Sequence, residues 1–388
     1  MYEQATNTDK LETKQATGKQ LTAIIFILAL ATKMFLLPIF LIQATGRDAY
    51  IAMAIGGAFD LVTLGVMIAA ICLSGERNIF ELMTALFGKV AAKIITEFFA
   101  LFMFFKLNIC VAESLLFYAD NVFTDFSIAV LIFVLLFFFV AVGKHTLRAL
   151  CRLNEIVIPI VVVCLAILIA IVLMTGFDLA NIFPALRDPA GFKSGLYRHS
   201  AWTGDFTPLI LFIGRTKTKK YTGFFAAASG ALGLCVAVFF ALVMSAAFGN
   251  APVLVDTSTN LSSILQFSIG NVYGRIDMFS SVLWSVSVFI ESALFFYATC
   301  RCVAFVIGKN AHVVISLCVC VLLYFSQVFF MSDQTIFSFV VTSEVCSIAT
   351  PVFAAAIPVL ALACVLTDRK KSGDGGTQKN CAYAEESK

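Results

Sequence analysis

Apolar and polar positions alternate along this chain on a long scale. Ten apolar runs, at approximately 21–43, 49–73, 94–118, 126–143, 155–175, 198–214, 222–248, 276–302, 311–330 and 339–366, are divided by polar connections. Each run is long enough, with tilt, to cross about 30 Å of hydrocarbon as a helix rising about 1.5 Å per residue. The pattern predicts an all-α polytopic membrane protein with ten transmembrane helices. A tail at 1–20 precedes a membrane domain at 21–366, and a second tail follows at 367–388. The first tail is polar and mixed in charge, and the run after it is too long for a signal h-region, so it reads as a first span. The Gly-rich, polar 373–388 is expected to be unstructured. Two long connections, 176–197 and 249–275, are expected outside the membrane, and "NLSSILQFS" (260–268) predicts a short amphipathic helix over the outer mouth.

Composition agrees. Of 388 residues, 60% are hydrophobic, 13% are charged and 40 are Phe, where soluble domains carry about a quarter charged residues. Basic residues then set the topology. They gather in the 2–3 connection (Arg77, Lys89, Lys93), the 4–5 connection (Lys144, Arg148, Arg152), "GRTKTKK" after the sixth run and "DRKK" after the tenth, while 119–125 and 331–338 have none. That alternation puts both termini in the cytoplasm. The connection at 176–197, with Arg187 and Lys193, is the exception. The 12 cysteines lie mostly inside apolar runs; Cys300/Cys302 and Cys318/Cys320 point to different helix faces, and no spacing matches a zinc site or a disulfide framework. No metal, cofactor, phosphate loop, catalytic constellation or nucleic-acid surface is indicated.

Two runs carry interruptions. The first reads "ALATKMFLLPIFLIQ", with Lys33 before Pro38. The sixth reads "SAWTGDFTPLILFIG", with Gly204 and Asp205 before Pro208. Each proline removes a backbone donor and disturbs the preceding turn. The two lie five runs apart, and an odd number of spans per half makes the halves antiparallel. Interrupted helices in corresponding places of a five-plus-five inverted repeat (LeuT-like) point to a midplane binding site, where freed backbone groups face a cavity.

Six ionisable residues lie well inside spans: Lys33, Asp60, Lys106, Glu113, Asp205 and Glu291. Each costs roughly 2.5–3.5 kcal/mol when it faces lipid at mid-depth, so most must face the bundle interior. Lys106 and Glu113 share a helix face with Cys110 between them, and Trp284, Ser287 and Glu291 form another stripe. An aromatic ring beside a carboxylate suits an ammonium group. Two cations against four carboxylates leave a mismatch. Either some carboxylates hold a proton, or a ligand ammonium or Na⁺ completes the balance, with Asp60 and Glu113 as candidates for ion or proton coupling. Permanent ion pairs that fix helix register are the alternative. For Asp205 this leaves two roles: it meets a ligand cation, or Lys33 already occupies it.

Several stretches, "LLPIFLIQATGRDAYIAMAIGGAFDLV", "DLANIFPAL" and above all "YGRIDMFSSVLWSVSVFIESALFFYA" with Arg275, Asp277 and Trp284, resemble the spore germination permease family. Those proteins are the membrane-embedded B subunits of nutrient germinant receptors, within the amino acid–polyamine–organocation transporter superfamily. The resemblance covers about residues 20–366. It implies a ligand site between helices 1, 3, 6 and 8, lined here by Thr32, Lys33, Lys106, Thr203, Gly204, Asp205, Trp284, Ser287 and Glu291. It further implies A and C partner subunits and residence in the spore inner membrane. The first break departs from superfamily habit: it offers Ala31 and Thr32 but no glycine, and inserts Lys33. Three functions fit this scaffold: a sensor of a small nutrient such as an amino acid, a proton-coupled amino-acid permease, and a ligand-gated ion pathway.

Overall fold

The computed structural model describes residues 16–34, 36–121, 128–175, 179–183, 185–186, 188–248, 277–308, 311–332 and 334–385. Among them are thirteen α-helices, three 3₁₀ turns and one two-stranded ribbon. The helices are α1 (Gly18–Leu30), α2 (Leu36–Thr45), α3 (Ala49–Leu73), α4 (Ile79–Phe87), α5 (Lys89–Asn121) and α6 (Ile128–Lys144). They continue as α7 (Leu147–Thr175), α8 (Pro189–Ser200), α9 (Thr222–Phe248), α10 (Asp277–Ile307), α11 (His312–Ser332), α12 (Gln334–Thr342) and α13 (Glu344–Glu385).

The apolar runs fall mainly on these helices, the sixth excepted. Seven helical stretches are long and apolar enough to cross a membrane by length and composition. The other runs are the two interrupted ones and the fourth, whose apolar part, Ile132–Gly143, is short. Outward residues such as Ile156, Ile160 and Val163 on α7 are exposed, which a bilayer solvates and water does not. The chain is an all-α polytopic membrane protein.

Packing follows the two halves. The third run packs along the eighth (α5 on α10), the second on the seventh (α3 on α9) and the fourth on the ninth (α6 on α11). Each such pair unites members at equivalent places in the two sets of five runs, and the first run also packs closely on the seventh (α1 on α9). Both breaks lie at that junction.

Several details differ from the sequence pattern. The sixth run is not one α-helix: α8 ends at Ser200, residues 201–206 are irregular, and a 3₁₀ turn follows at Thr207–Phe212. The connection expected at 176–197 holds most of α8. Its start is capped by the Asp188 side chain, which accepts from the Ala190 amide at 3.1 Å, with Pro189 at the first helical position. Between the second and third runs, α4 begins in a reciprocal capping box of Asn78 and Glu81. The last helix, α13, carries Pro351 and Pro358 within it. "NLSSILQFS" lies outside the described residues. At the opposite end of the chain, β1 (Ala16–Thr17) pairs in parallel with β2 (Thr216–Lys217), so the start of α1 is tied to the connection after the sixth run.

Candidate ligand-binding site

The breaks form where the sequence removes helix bonds. Pro38 is the third residue of α2, and in a continuous helix its amide would bond the carbonyl of Met34. Pro208 stands second in the 3₁₀ turn, and its lost partner would be Gly204. Residues 31–34 accordingly turn out of the helix, as do 201–206. Gly204 adopts φ +87°, a left-handed conformation natural to glycine. Its Cα is also closely surrounded: a Cβ there would lie 3.0 Å from Phe102 Cζ and 3.1 Å from Ala354 Cβ.

Into this gap the first half sends Lys33, Lys106 and Asp60, and the second half sends Asp205. Asp205 is fully buried and lies between two lysines. Lys33 Nζ bonds its Oδ2, and Lys106 Nζ lies 2.7 Å from its Oδ1. Thr32 Oγ1 donates to Oδ2 at 3.1 Å. Lys33 also reaches Asp60 Oδ2 at 3.3 Å and the Trp202 carbonyl at 3.3 Å, while Lys106 donates to the Ala201 carbonyl at 3.3 Å. Asp60 Oδ1 in turn accepts from the Gly204 amide at 3.4 Å. Both lysines thus bond carbonyls that the broken sixth segment has released from helix duty, which is how such buried ammonium groups satisfy their protons.

The charge mismatch is thereby confined to the two glutamates. Lys33 and Lys106 neutralise Asp60 and Asp205, two against two, and all four side chains have no exposure. In this arrangement Lys33 and Lys106 already occupy both carboxylate oxygens of Asp205. The glutamates remain. Glu113 accepts the indole N–H of Trp202 at 2.5 Å, and its Oε2 has no hydrogen-bond partner among the described residues. Glu291 is fully buried with neither carboxylate oxygen hydrogen-bonded among them, and lies within electrostatic reach of Asp205, Lys33, Lys106 and Glu113.

The other candidates stand nearby. Thr203 is buried and donates to the Ser200 carbonyl at 2.7 Å, which stabilises the turn. Ser287 donates to its own helix at the Leu283 carbonyl. Trp284 is buried and packs at a tilt against Phe117, ring centroids 4.6 Å apart. Asp60, assigned by sequence to coupling, belongs to the same ion cluster as Asp205. Sequence reasoning missed Trp202. It is fully buried, packs at a tilt on Phe40 with ring centroids 5.3 Å apart, donates to Glu113 and offers its carbonyl to Lys33. As one of two tryptophans in the chain, and adjacent to the break, it carried a usable signal. His199 is buried one turn earlier, and its Nε2 has no partner among the described residues.

A test of the Trp202 link is direct. Trp202→Phe keeps most of the ring packing but leaves Glu113 without its donor, which is expected to lower stability by about 1–3 kcal/mol. Thermal unfolding in mild detergent reads it. If the loss is equally large in a Glu113→Leu background, which removes the acceptor, the indole–carboxylate bond is not its source.

Membrane-spanning helices in antiparallel halves, with two breaks at their junction, define a transporter-shaped protein. The similarities agree. The structure of Mhp1 in an inward-facing conformation superposes with a TM-score of 0.55 at 11% identity, covering 93% of this chain and 79% of that one. Mhp1, a nucleobase-cation-symport-1 family transporter, in a closed conformation with bromovinylhydantoin bound, gives 0.52 at 11% identity, covering 92% of each chain. A mutant of the manganese transporter of Eremococcus coleocola gives 0.51 at 11% identity, over 89% of this chain and 77% of that one. At such identities the likeness is one of fold. No curated protein matches the chain. The family model described as "Spore germination protein" matches residues 15–335, and the chain belongs to that family.

Proposed function

We propose that the chain is the nutrient-sensing membrane subunit of a spore germinant receptor. Its ligand is a small zwitterionic nutrient, an amino acid by its chemistry, bound at mid-membrane between the two breaks, α5 and α10. The observation that carries this is the latch: one aspartate of the second half bridges two lysines of the first, beside a buried glutamate whose oxygens have no hydrogen-bond partner among the described residues. A ligand carboxylate competes with Asp205 for Lys33 and Lys106, while the ligand ammonium takes Glu291. Opening the latch frees the halves to move, and the ligand shifts the population by its preference for the open arrangement. A shift from 1:99 to 99:1 needs about 5.5 kcal/mol of such preference. The A and C subunits and the surrounding membrane lipid are the proposed partners. In this reading both termini are cytoplasmic and the spore inner membrane is the location.

The Glu291 assignment makes a clear prediction. Glu291→Gln is expected to weaken amino-acid binding by about tenfold or more, the worth of roughly 1.4 kcal/mol, in a ligand-induced thermal-shift titration, and to leave the protein inserted and monodisperse. Unchanged affinity would place the ligand elsewhere.

A second reading, a proton-coupled permease, draws on the oxygens of Glu113 and Glu291 that have no hydrogen-bond partner among the described residues, which are suited to carry protons. Uptake of labelled amino acid into liposomes, with and without a pH gradient, separates the two. Accumulation driven by the gradient identifies the permease; ligand-induced stabilisation without uptake identifies the sensor.

A further inference from the structure

A large concavity lies away from the latch. This groove of about 1180 Å³ runs between α1, α7 and α9. It is larger than the roughly 300–1,000 Å³ of pockets that close around small ligands. Its walls are apolar along most of their length, with Phe26, Ile158, Val162, Leu165, Phe225 and Val236 among them. At one end it turns polar, where Lys19, Lys217 and Lys219 line it together.

This end is built by the fold rather than by chance proximity. The β1–β2 ribbon sets Thr17 opposite Lys217, which brings Lys19, two residues on, to the same end. Lys219 is held by its backbone, whose amide donates to Thr222 Oγ1 at 2.8 Å. None of the three lysines is in an ion pair among the described residues, and all three are exposed. One carboxylate shares the end: Glu155 accepts the Gln20 side-chain amide at 3.1 Å. Three cations against one anion leave the end positive by two.

We propose that this groove binds one acidic phospholipid, with its phosphate on Lys19, Lys217 and Lys219 and an acyl chain along the apolar wall. Charge complementarity selects the occupant. A lipid of zero net charge satisfies the wall but leaves the end's net positive charge uncompensated, whereas an acidic headgroup meets both demands, as in basic pockets between membrane helices. The site bears on α1, which leads directly into the break that holds Lys33. A bound lipid therefore braces the inner half of the first segment against α7 and α9.

The full-length protein in mild detergent tests this by native mass spectrometry and thermal shift, with phosphatidylglycerol and phosphatidylcholine as probes. Phosphatidylglycerol is expected to bind and stabilise, and phosphatidylcholine to do neither to a comparable degree. Each lysine is worth about fivefold in affinity, so Lys19→Glu/Lys217→Glu/Lys219→Glu loses about a hundredfold or more. Glu155→Gln strengthens binding. Ala166→Trp, which fills the wall without touching the charges, abolishes it. Equal binding of the two lipids, or an unaltered preference in the triple variant, overturns the proposal. So does release of both lipids by a partner subunit that seats on the groove, since the groove then belongs to protein.

Discussion

Replacing Asp205 by alanine is expected to be the most damaging single change in the membrane domain. It leaves Lys33 and Lys106 buried beside each other, and of their ion pairs only Lys33–Asp60 remains. Breaking a buried pair by removing one partner costs about 3–5 kcal/mol, because a charge is left without compensation. The diagnosis lies in the double variant. Asp205→Ala/Lys106→Met removes the orphaned ammonium, and a coupling of roughly 1–3 kcal/mol between the two sites is expected. Unfolding in mixed detergent micelles measures both. Strict additivity would mean that the ion pair is energetically idle. The milder Asp205→Asn retains an oxygen for Thr32 yet drops the charge. Under the sensor reading it abolishes the nutrient response while the protein still inserts, because no closed latch remains to be opened.

The second large effect belongs to the backbone. Gly204→Val is expected to lower stability by about 2–5 kcal/mol. A left-handed conformation costs a non-glycine residue roughly 1–2 kcal/mol, more when it is β-branched. Overpacking against Phe102 and Ala354 adds about 1–3 kcal/mol. The same strain disturbs the Gly204 amide bond to Asp60 and so loosens the ion cluster. Gly65→Ala is the control. It stands inside α3 with open space around a built Cβ, and is expected to stabilise by roughly 0.5–1 kcal/mol. If the two substitutions behave alike in thermal unfolding, the strained turn has no special role.

Much of this was legible in the sequence. Hydropathy located the membrane-spanning runs, because membrane burial of a whole helix is a property of composition over about twenty residues. Proline and glycine marked both breaks, since their effect on the backbone is local. The six interior charges identified themselves by their expense. Hydropathy could not say which charge meets which. Lys33 and Asp205 are far apart along the chain, and only the crossing of segments one and six decides that the lysine takes the place open to a ligand cation. For the same reason Trp202 passed unnoticed: its value lies in reaching Glu113 on another helix. The short helices α4 and α8 were missed for a different cause. The α8 stretch, "PAGFKSGLYRHS", has two glycines and mixed polarity, so its hydrophobic period is weak and only Asp188 and Pro189 announced a helix start.

The latch also bears on how such a protein is made. Lys33, Asp60 and Lys106 belong to the first three segments, whereas Asp205 arrives with the sixth. While the first half is being inserted, Lys106 lacks the carboxylate that it will later pair with. The early helices therefore cannot settle into their final contacts until the ribosome has delivered the second half. Biogenesis becomes a two-stage affair, in which insertion runs from the N-terminus onward but consolidation waits for residue 205.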